Sequence, residues 1–264
     1  MRAVFADPQA GRSPVPVPQL NGSAVQPDKQ HHRAARKRAV LNGIPHGLLL
    51  GAVPAGYGAD ARARRSILAL RRGPVRFRRN TTVAAEGDSA DCIFLVARGI
   101  VRSCKTFADG GRSIVAFHLP GELFGWTCGG THLLSAEAAT DAVVMFVKRS
   151  ALLSAAARDT ALANFLVENT ANELWQTQQH SLLISRDARH RIAAFLTDLS
   201  RRTGKSTCLD VPMSCHDIAD YLGLTIETVS RTITKLVQCG SIARGGSRRT
   251  LILKDPASLA AMLS

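Results

Sequence analysis

Within the stretch LGLTIETVSRTITKL, Leu222 to Leu236, a carboxylate, a hydroxyl and a guanidinium fall close together as Glu227, Ser230 and Arg231. Arginine can donate two hydrogen bonds to guanine O6 and N7, and glutamate can accept one from cytosine N4. Presented together by a helix in a major groove, they suit one guanine–cytosine pair. The competing reading is an ordinary surface ion pair, since Glu227 and Arg231 are four residues apart and therefore helical neighbours. Such a pair stabilises by no more than roughly 0.5 kcal/mol. What surrounds the cluster decides between the two.

The segment CHDIADYLGLTIETVSRTITKL fits a helix-turn-helix position by position. A first helix is expected over His216 to Leu222, with Ala219 small where a second helix crosses it. Gly223 stands where the turn needs a positive φ. Thr225 is placed to cap the second helix, and Glu227 lies in its first turn, where the macrodipole favours negative charge. Val229, Ile233 and Leu236 are spaced by four and three and share one buried face, with Ile218, Leu222 and Leu224 completing a small core. Ile226, Glu227, Ser230 and Arg231 then face outward near the helix N-terminus, where a recognition helix reads bases.

Downstream, SIARGGSRRTLILKDP reads as two strands around a Gly-Gly turn, with Arg244, Arg248 and Arg249 near its tip. That is a wing, and the unit is a winged helix-turn-helix. Candidate phosphate contacts are Cys215, His216, Thr225, Thr228, Arg244, Arg248 and Arg249. Cys215 opens the first helix near passing phosphates and is a candidate for oxidation to a negative acid that repels DNA.

The elements that carry this unit are legible upstream. From Pro74 to Arg149, short apolar runs (PVRF, CIFLVA, GIVRSCKTF, SIVAFH, AVVMFV) alternate with glycine turns about every ten residues, which indicates an antiparallel barrel or roll. A long helix follows, with Leu162, Phe165, Leu166, Val167, Leu174 and Trp175 at helical intervals; a stripe of that length calls for a second copy to cover it. A shorter helix, ARHRIAAFLTDLSRR, leads into TGKSTCLDVP, a turn and a strand. The expected fold class is therefore α+β. It has a flexible basic tail over residues 1–60, a β-roll over 61–150, a dimerisation helix over 151–185 and a winged helix-turn-helix over 186–264.

Composition narrows the partners. The chain of 264 residues carries 34 Lys and Arg against 20 Asp and Glu, a net charge of +14, which favours a polyanion. The first 60 residues hold +4 of it, from seven Lys/Arg and three Asp, so +10 remains outside the tail. Eight arginines without an acid crowd RARRSILALRRGPVRFRR, most of them expected at a solvated surface. Six cysteines are scattered without a CxxC or CxxH pair, against both a zinc site and a disulfide framework. Cys128 and His132 in CGGTH lack an orienting third group and are read as a plain loop. No paired acid-base or metal constellation suggests an enzyme, and neither a signal segment nor a spanning run is evident, so a cytoplasmic protein is expected.

With β-roll, long helix and winged helix-turn-helix in that order, the chain resembles the Crp-Fnr superfamily of bacterial transcription regulators from about residue 64 onward. The resemblance is carried by EGDSADCIFLVARGIVRSCKTFADGGRSIVAFHLPGELFG, RIAAFLTDLSRR and DIADYLGLTIETVSR, and the last looks like the FixK branch. It implies a homodimer joined through residues 158–183 that binds TTGAT-type inverted repeats, acts as an activator and meets RNA polymerase. On the Glu-x-x-Ser-Arg pattern, Arg231 would donate to guanine, Glu227 would accept from the paired strand, and Ser230 with Ile226 would sort thymine.

Cyclic-nucleotide binders of the superfamily place a glutamate after Gly-Asp/Glu-x-x-Gly and an arginine before Ser/Thr-Ala. Here Trp126 and Leu134 stand there, and neither holds a ribose hydroxyl or a phosphate, so cyclic AMP is not expected. No cysteine precedes Cys92, so the superfamily's iron-sulfur cluster is not expected either. The alternative is a sensor of the same superfamily gated by haem or another small molecule in the β-roll.

Overall fold

The computed structural model describes residues 61–205, 207–247, 249–254 and 259, all within one unit. The tail inferred for residues 1–60 and Arg248 of the wing lie outside them. Helix α1 (Ala61–Leu70) leads into eight strands: β1 (Arg71–Phe77), β2 (Thr82–Ala84), β3 (Cys92–Arg98), β4 (Val101–Thr106), β5 (Arg112–His118), β6 (Leu123–Phe124), β7 (Ser135–Ala138) and β8 (Ala142–Lys148). Helices α2 (Arg149–Ala156), α3 (Thr160–Leu183) and α4 (Ala188–Thr203) follow. Then come β9 (Cys208–Asp210), α5 (Cys215–Leu222), α6 (Ile226–Gln238), β10 (Ile242–Arg244) and β11 (Thr250–Leu253).

The first eight strands form two antiparallel sheets, ordered β1-β8-β3-β6 and β2-β7-β4-β5. Phe94, Val96 and Val144 point between them onto Val101, Phe124 and Ala138. Their neighbours Ile93, Leu95, Met145 and Val147 point the other way, under Ile67 of α1, Leu152 of α2 and Leu162 and Leu166 of α3. Both faces of β3 and β8 are therefore covered, which is why CIFLVA and AVVMFV read as continuous apolar runs rather than alternating ones. The helices were the less visible part. The first half of the arginine-rich stretch is α1, whose Ala63 and Ile67 are buried while Arg62 and Arg65 remain exposed, and most of the rest is β1.

A third cluster joins the second sheet to the C-terminal half. Cys104, Ile114 and Phe117 of β4 and β5 pack with Ile192, Phe195 and Leu199 of α4, and with Ile218, Leu222, Val229 and Leu236 of α5 and α6. Burial, then the charge of Glu137, pushes the Cys104 thiol up to about 11, so it is an inert core residue. The β-roll and the helix-turn-helix thus share one core rather than meeting through a linker.

Between α2 and α3 the chain breaks at Asp159, whose carboxylate caps α3 by accepting from Ala161 N at 3.2 Å and also accepts from Ser66 Oγ of α1 at 3.0 Å. Only Leu162 and Leu166 of α3 are buried. Further along, Val167 (69% exposed), Leu174 (58%), Trp175 (50%) and Leu182 (66%) lie within an arc of about 100° on the helix, an apolar stripe that the described residues leave uncovered.

Candidate nucleic-acid interface

Helix α5 starts one turn-residue earlier than its apolar spacing indicates, because Ser214 and Asp217 form a capping box. The Ser214 hydroxyl accepts from Asp217 N at 3.0 Å, and the Asp217 carboxylate reaches back to Ser214 N at 3.4 Å and Oγ at 2.7 Å. Gly223 ends the helix in the left-handed region, φ 61° and ψ 41°, and Leu224 N donates to Ala219 O at 3.0 Å. A Cβ on Gly223 would meet nothing closer than Arg191 Nη1 at 3.6 Å, so backbone conformation rather than space demands glycine there. Thr225 caps α6, its Oγ1 accepting from Thr228 N at 3.2 Å.

The inner face of α6 is Val229, Thr232 and Leu236, with Ile233 only partly buried; Thr232 takes a place that apolar spacing alone assigns to Ile233. The outer face carries Ile226 (46% exposed), Glu227, Ser230 and Arg231, all solvent-facing. Among the described residues the Glu227 and Arg231 side chains hold no hydrogen bond or ion pair, to each other or to anything else. The surface ion pair that their spacing allowed is not formed.

The wing is a three-stranded sheet, β10-β11-β9. Arg244 pairs with Leu251 across β10 and β11, and Gly245 N donates to Thr250 O at 2.8 Å to close the tip. Arg244 and Arg249 are exposed there; Cys215 and His216 are exposed at the start of α5, and Thr228 is half-buried in the first turn of α6. These groups sit on the two helix N-termini and the hairpin tip, where backbone phosphates can be met. The remaining candidate on the wing, Arg248, is outside the described residues. His216 Nε2 lies 3.6 Å from Asp220 Oδ1.

Residues that spacing did not single out hold α5 at both ends. At its C-terminus, Arg191 Nη1 of α4 donates to Leu222 O at 2.8 Å and Gly223 O at 3.2 Å, and His180 Nε2 of α3 meets Tyr221 O at 2.7 Å while its ring stacks on Tyr221. At its N-terminus, Arg102 of β4 donates from Nη1 to Asp217 Oδ1 at 2.7 Å, and Arg112 of β5 from Nη2 to the same oxygen at 2.9 Å. Arg112 also binds Asp220 Oδ2 through Nε at 2.7 Å, and Arg102 binds Glu137 Oε2 through Nε at 3.0 Å and Nη2 at 2.6 Å. Burial disfavours the Arg112 charge, but the Asp220 and Asp217 carboxylates outweigh it and raise its pKa. A Ser-x-x-Asp spacing before an apolar run could have revealed the capping box; nothing local marks Arg102 or Arg112.

Between the sheets and α3 lies a cavity of about 170 Å³ lined by Trp126, Leu134, His118, Phe124, Asn172 and Glu173. Both positions where cyclic-nucleotide binders carry their ligand residues therefore open onto it, filled by an indole and an isobutyl group. The arginine in the lining, Arg202, is already forked onto Glu122, with Nη2 to Oε2 at 2.6 Å and Nε to Oε1 at 3.1 Å. Burial, then the Glu122 charge, raises the Glu173 pKa, the wrong polarity for a phosphate. Cys128 and His132 stay in their glycine-rich loop, Cys128 exposed and His132 buried near the Phe94 ring.

His118 stacks on Phe124 and shares a 2.8 Å hydrogen bond with Ser103 Oγ. Burial, reinforced by the Arg202 charge, pushes its pKa down to about 3. The unfolded chain takes up this proton near pH 6.5 and the folded protein does not, so the neutral ring's contribution is complete above pH 6.5 and falls away on acidification. From pH 7 to pH 5 this one group should cost about 2 kcal/mol of stability. Urea unfolding across that range should therefore show a shallower pH slope for His118→Gln than for the wild type; equal slopes would refute the assignment. His132 and His180, also lowered by burial, contribute the same sign in both proteins.

Comparison with known proteins agrees with this geometry. Residues 190–262 match the model of the Crp-like helix-turn-helix domain, and residues 74–159 that of the cyclic nucleotide-binding domain. The chain is 42% identical to the nitrogen fixation regulation protein FixK of Azorhizobium caulinodans over 77% of this chain and 85% of the relative. The chain belongs to the Crp-Fnr family of transcription regulators. Within the family it is also 43% identical to FixK of Rhizobium meliloti over 66% of this chain and 80% of that protein. Among solved structures, FixK2 from Bradyrhizobium japonicum superposes with a TM-score of 0.68 at 39% identity, covering 73% of this chain and 97% of FixK2. This Crp-Fnr protein is a DNA-binding regulator of FixK-like type, not an enzyme. Among its described residues no helix is long and apolar enough to cross a membrane.

Proposed function

We propose that the protein works in the cytoplasm as a homodimeric activator that binds TTGAT-type inverted repeats and contacts RNA polymerase from the DNA. The observation that carries this reading is the outer face of α6, where Glu227 and Arg231 stand at the N-terminal end of a capped helix with no partner among the described residues. Arg231 donates to the guanine, Glu227 accepts from the paired strand, and Ser230 with Ile226 discriminates the thymines. Arg244 and Arg249 of the wing meet phosphates. The uncovered stripe on α3 supports a second copy, which would set two recognition helices about one helical turn (~34 Å) apart.

Selection from random DNA by the purified protein is expected to return TTGAT-N4-ATCAA. Arg231→Ala should lose roughly 1–3 kcal/mol of discrimination at the guanine, whereas Arg249→Ala should weaken specific and random DNA alike. Equal losses on both DNAs for Arg231→Ala would overturn the base-reading role.

We infer further that no cyclic nucleotide and no iron-sulfur cluster serves the protein. The β-roll cavity favours one narrower alternative, a small-molecule gate. Trp126 Nε1 is buried beside it with no hydrogen-bond partner among the described residues, and 170 Å³ is below the roughly 300 Å³ at which ligand pockets begin, so any occupant is small and can accept a hydrogen bond. Protein stripped of small molecules by unfolding, dialysis and refolding that still binds the inverted repeat with unchanged affinity excludes the gate.

A further inference from the structure

We propose that Arg102 and Arg112 are positioning residues for DNA recognition, forming a charge clamp through which the β-roll fixes the angle of the helix-turn-helix and hence the half-site spacing. The inference rests on the inverted-repeat reading above and names what sets its geometry.

The clamp crosses the shared core. Arg102 is 3% exposed and Asp217 2%, and they are 115 residues apart in sequence. Every acceptor site that matters is committed: Asp217 Oδ1 takes both arginines, and Asp217 Oδ2 takes the Ser214 hydroxyl that starts α5. Arg102 is held from behind by Glu137 and by Asn80 Oδ1 at 3.2 Å, so it cannot follow α5 if the helix moves. Arg112 spans Asp217 and Asp220, which are three residues apart on one face of α5, and so fixes the helix against rotation about its axis.

A buried ion pair is weak evidence for stability, because desolvation offsets most of the attraction. It is better suited to specifying one arrangement. A small rotation of α5 leaves a buried carboxylate facing a buried guanidinium at the wrong angle, with no water to replace the lost bonds. The apolar contacts of the shared core are non-directional, and the directional bonds of the clamp single out one register among them. The C-terminal grip of Arg191 on Leu222 and Gly223 transmits the same orientation to the turn and to α6. A regulator whose β-roll fits no cyclic nucleotide needs its helix angle held by the chain itself, and these side chains do that.

The test is the preference for half-site spacing, measured by fluorescence anisotropy on TTGAT repeats with three, four and five intervening base pairs and on random DNA. Each added base pair turns one half-site relative to the other, so a rigid dimer discriminates and a loosened one adapts. The wild type should prefer one spacing. Arg112→Gln should lower that preference roughly tenfold, a mid-range coupling between sites, while keeping TTGAT over random DNA. Arg112→Lys, which keeps the cation facing Asp217 and Asp220, should restore part of it. Asp220→Asn, at the more exposed end of the clamp, is the second variant if Arg112→Gln does not fold. Unchanged spacing preference in both variants overturns the clamp, and so does a uniform loss on every DNA, which a merely structural role would produce. No preference of the wild type for TTGAT repeats overturns the inverted-repeat reading and the clamp with it.

Discussion

Asp217→Ala should lower the free energy of unfolding by about 3–5 kcal/mol, a drop far larger than any exposed charge in this protein should show. Two effects combine. Arg102 loses a carboxylate in a place where water cannot substitute, the half-buried Arg112 loses one of its two, and α5 loses the acceptor that closes its capping box. Asp217→Asn keeps one acceptor oxygen, which can serve the arginines or Ser214 but not both, and should cost less. The exposed pair of Lys105 with Glu86 provides the contrast, since Glu86→Ala should change stability by no more than roughly 0.5 kcal/mol. Urea unfolding of the three variants checks the order, provided that the denaturant slope stays constant. A cost below about 1 kcal/mol for Asp217→Ala would mean that the network relaxes around the gap and holds nothing in place.

What could be read from residues alone was whatever has a local cause. Gly223 announces a left-handed turn because a side chain is strained there, and Thr225 announces a cap because its hydroxyl satisfies a helix N–H. Val229 and Leu236 mark the inner face of α6 because 3.6 residues make a turn. CIFLVA and AVVMFV marked two strands, and their lack of alternation is itself the trace of a covered outer face, although it does not say which helices cover it. Short β2, β6 and β7 escaped, since runs of two to four residues carry almost no periodicity, and α1 was masked by its arginines. Arg102 and Arg112 were illegible for a deeper reason. On an isolated strand, VRSCKT and RSIVAFH show arginine at ordinary polar positions. Only the arrival of α5, over a hundred residues later, buries the one and half-buries the other, and a contact so distant in sequence leaves no pattern in either segment. The same limit applies to the cavity. Trp126 and Leu134 could be read as replacements for ligand-binding residues, but that the paired Arg202 and Glu122 close its wall depends on where α4 docks.

Gly99→Ala should be about as damaging as the loss of Asp217, at roughly 3–5 kcal/mol, although it removes no interaction. Gly99 makes the turn between β3 and β4 at φ 77°, and a Cβ there would stand 2.2 Å from Asp141 O and 2.8 Å from Ala142 Cα. Both are backbone atoms of the segment entering β8, the strand buried between β1 and β3, so no side chain can swing away to make room. The turn is tied to that segment on its other side as well, with Ile100 N donating to Thr140 Oγ1 at 2.9 Å and Ala139 N to Ile100 O at 2.9 Å. Gly87→Ala separates the two costs: φ there is 81°, with nothing within 4 Å of the added carbon, so it should show only the strain of positive φ, about 1 kcal/mol. A Gly99→Ala cost no greater than that of Gly87→Ala would show that the turn yields. If it does not yield, the displacement falls on β4, where Arg102 lies three residues beyond the glycine. Gly99→Ala protein that still folds should then share the relaxed half-site spacing of the clamp variants while keeping every charge in place.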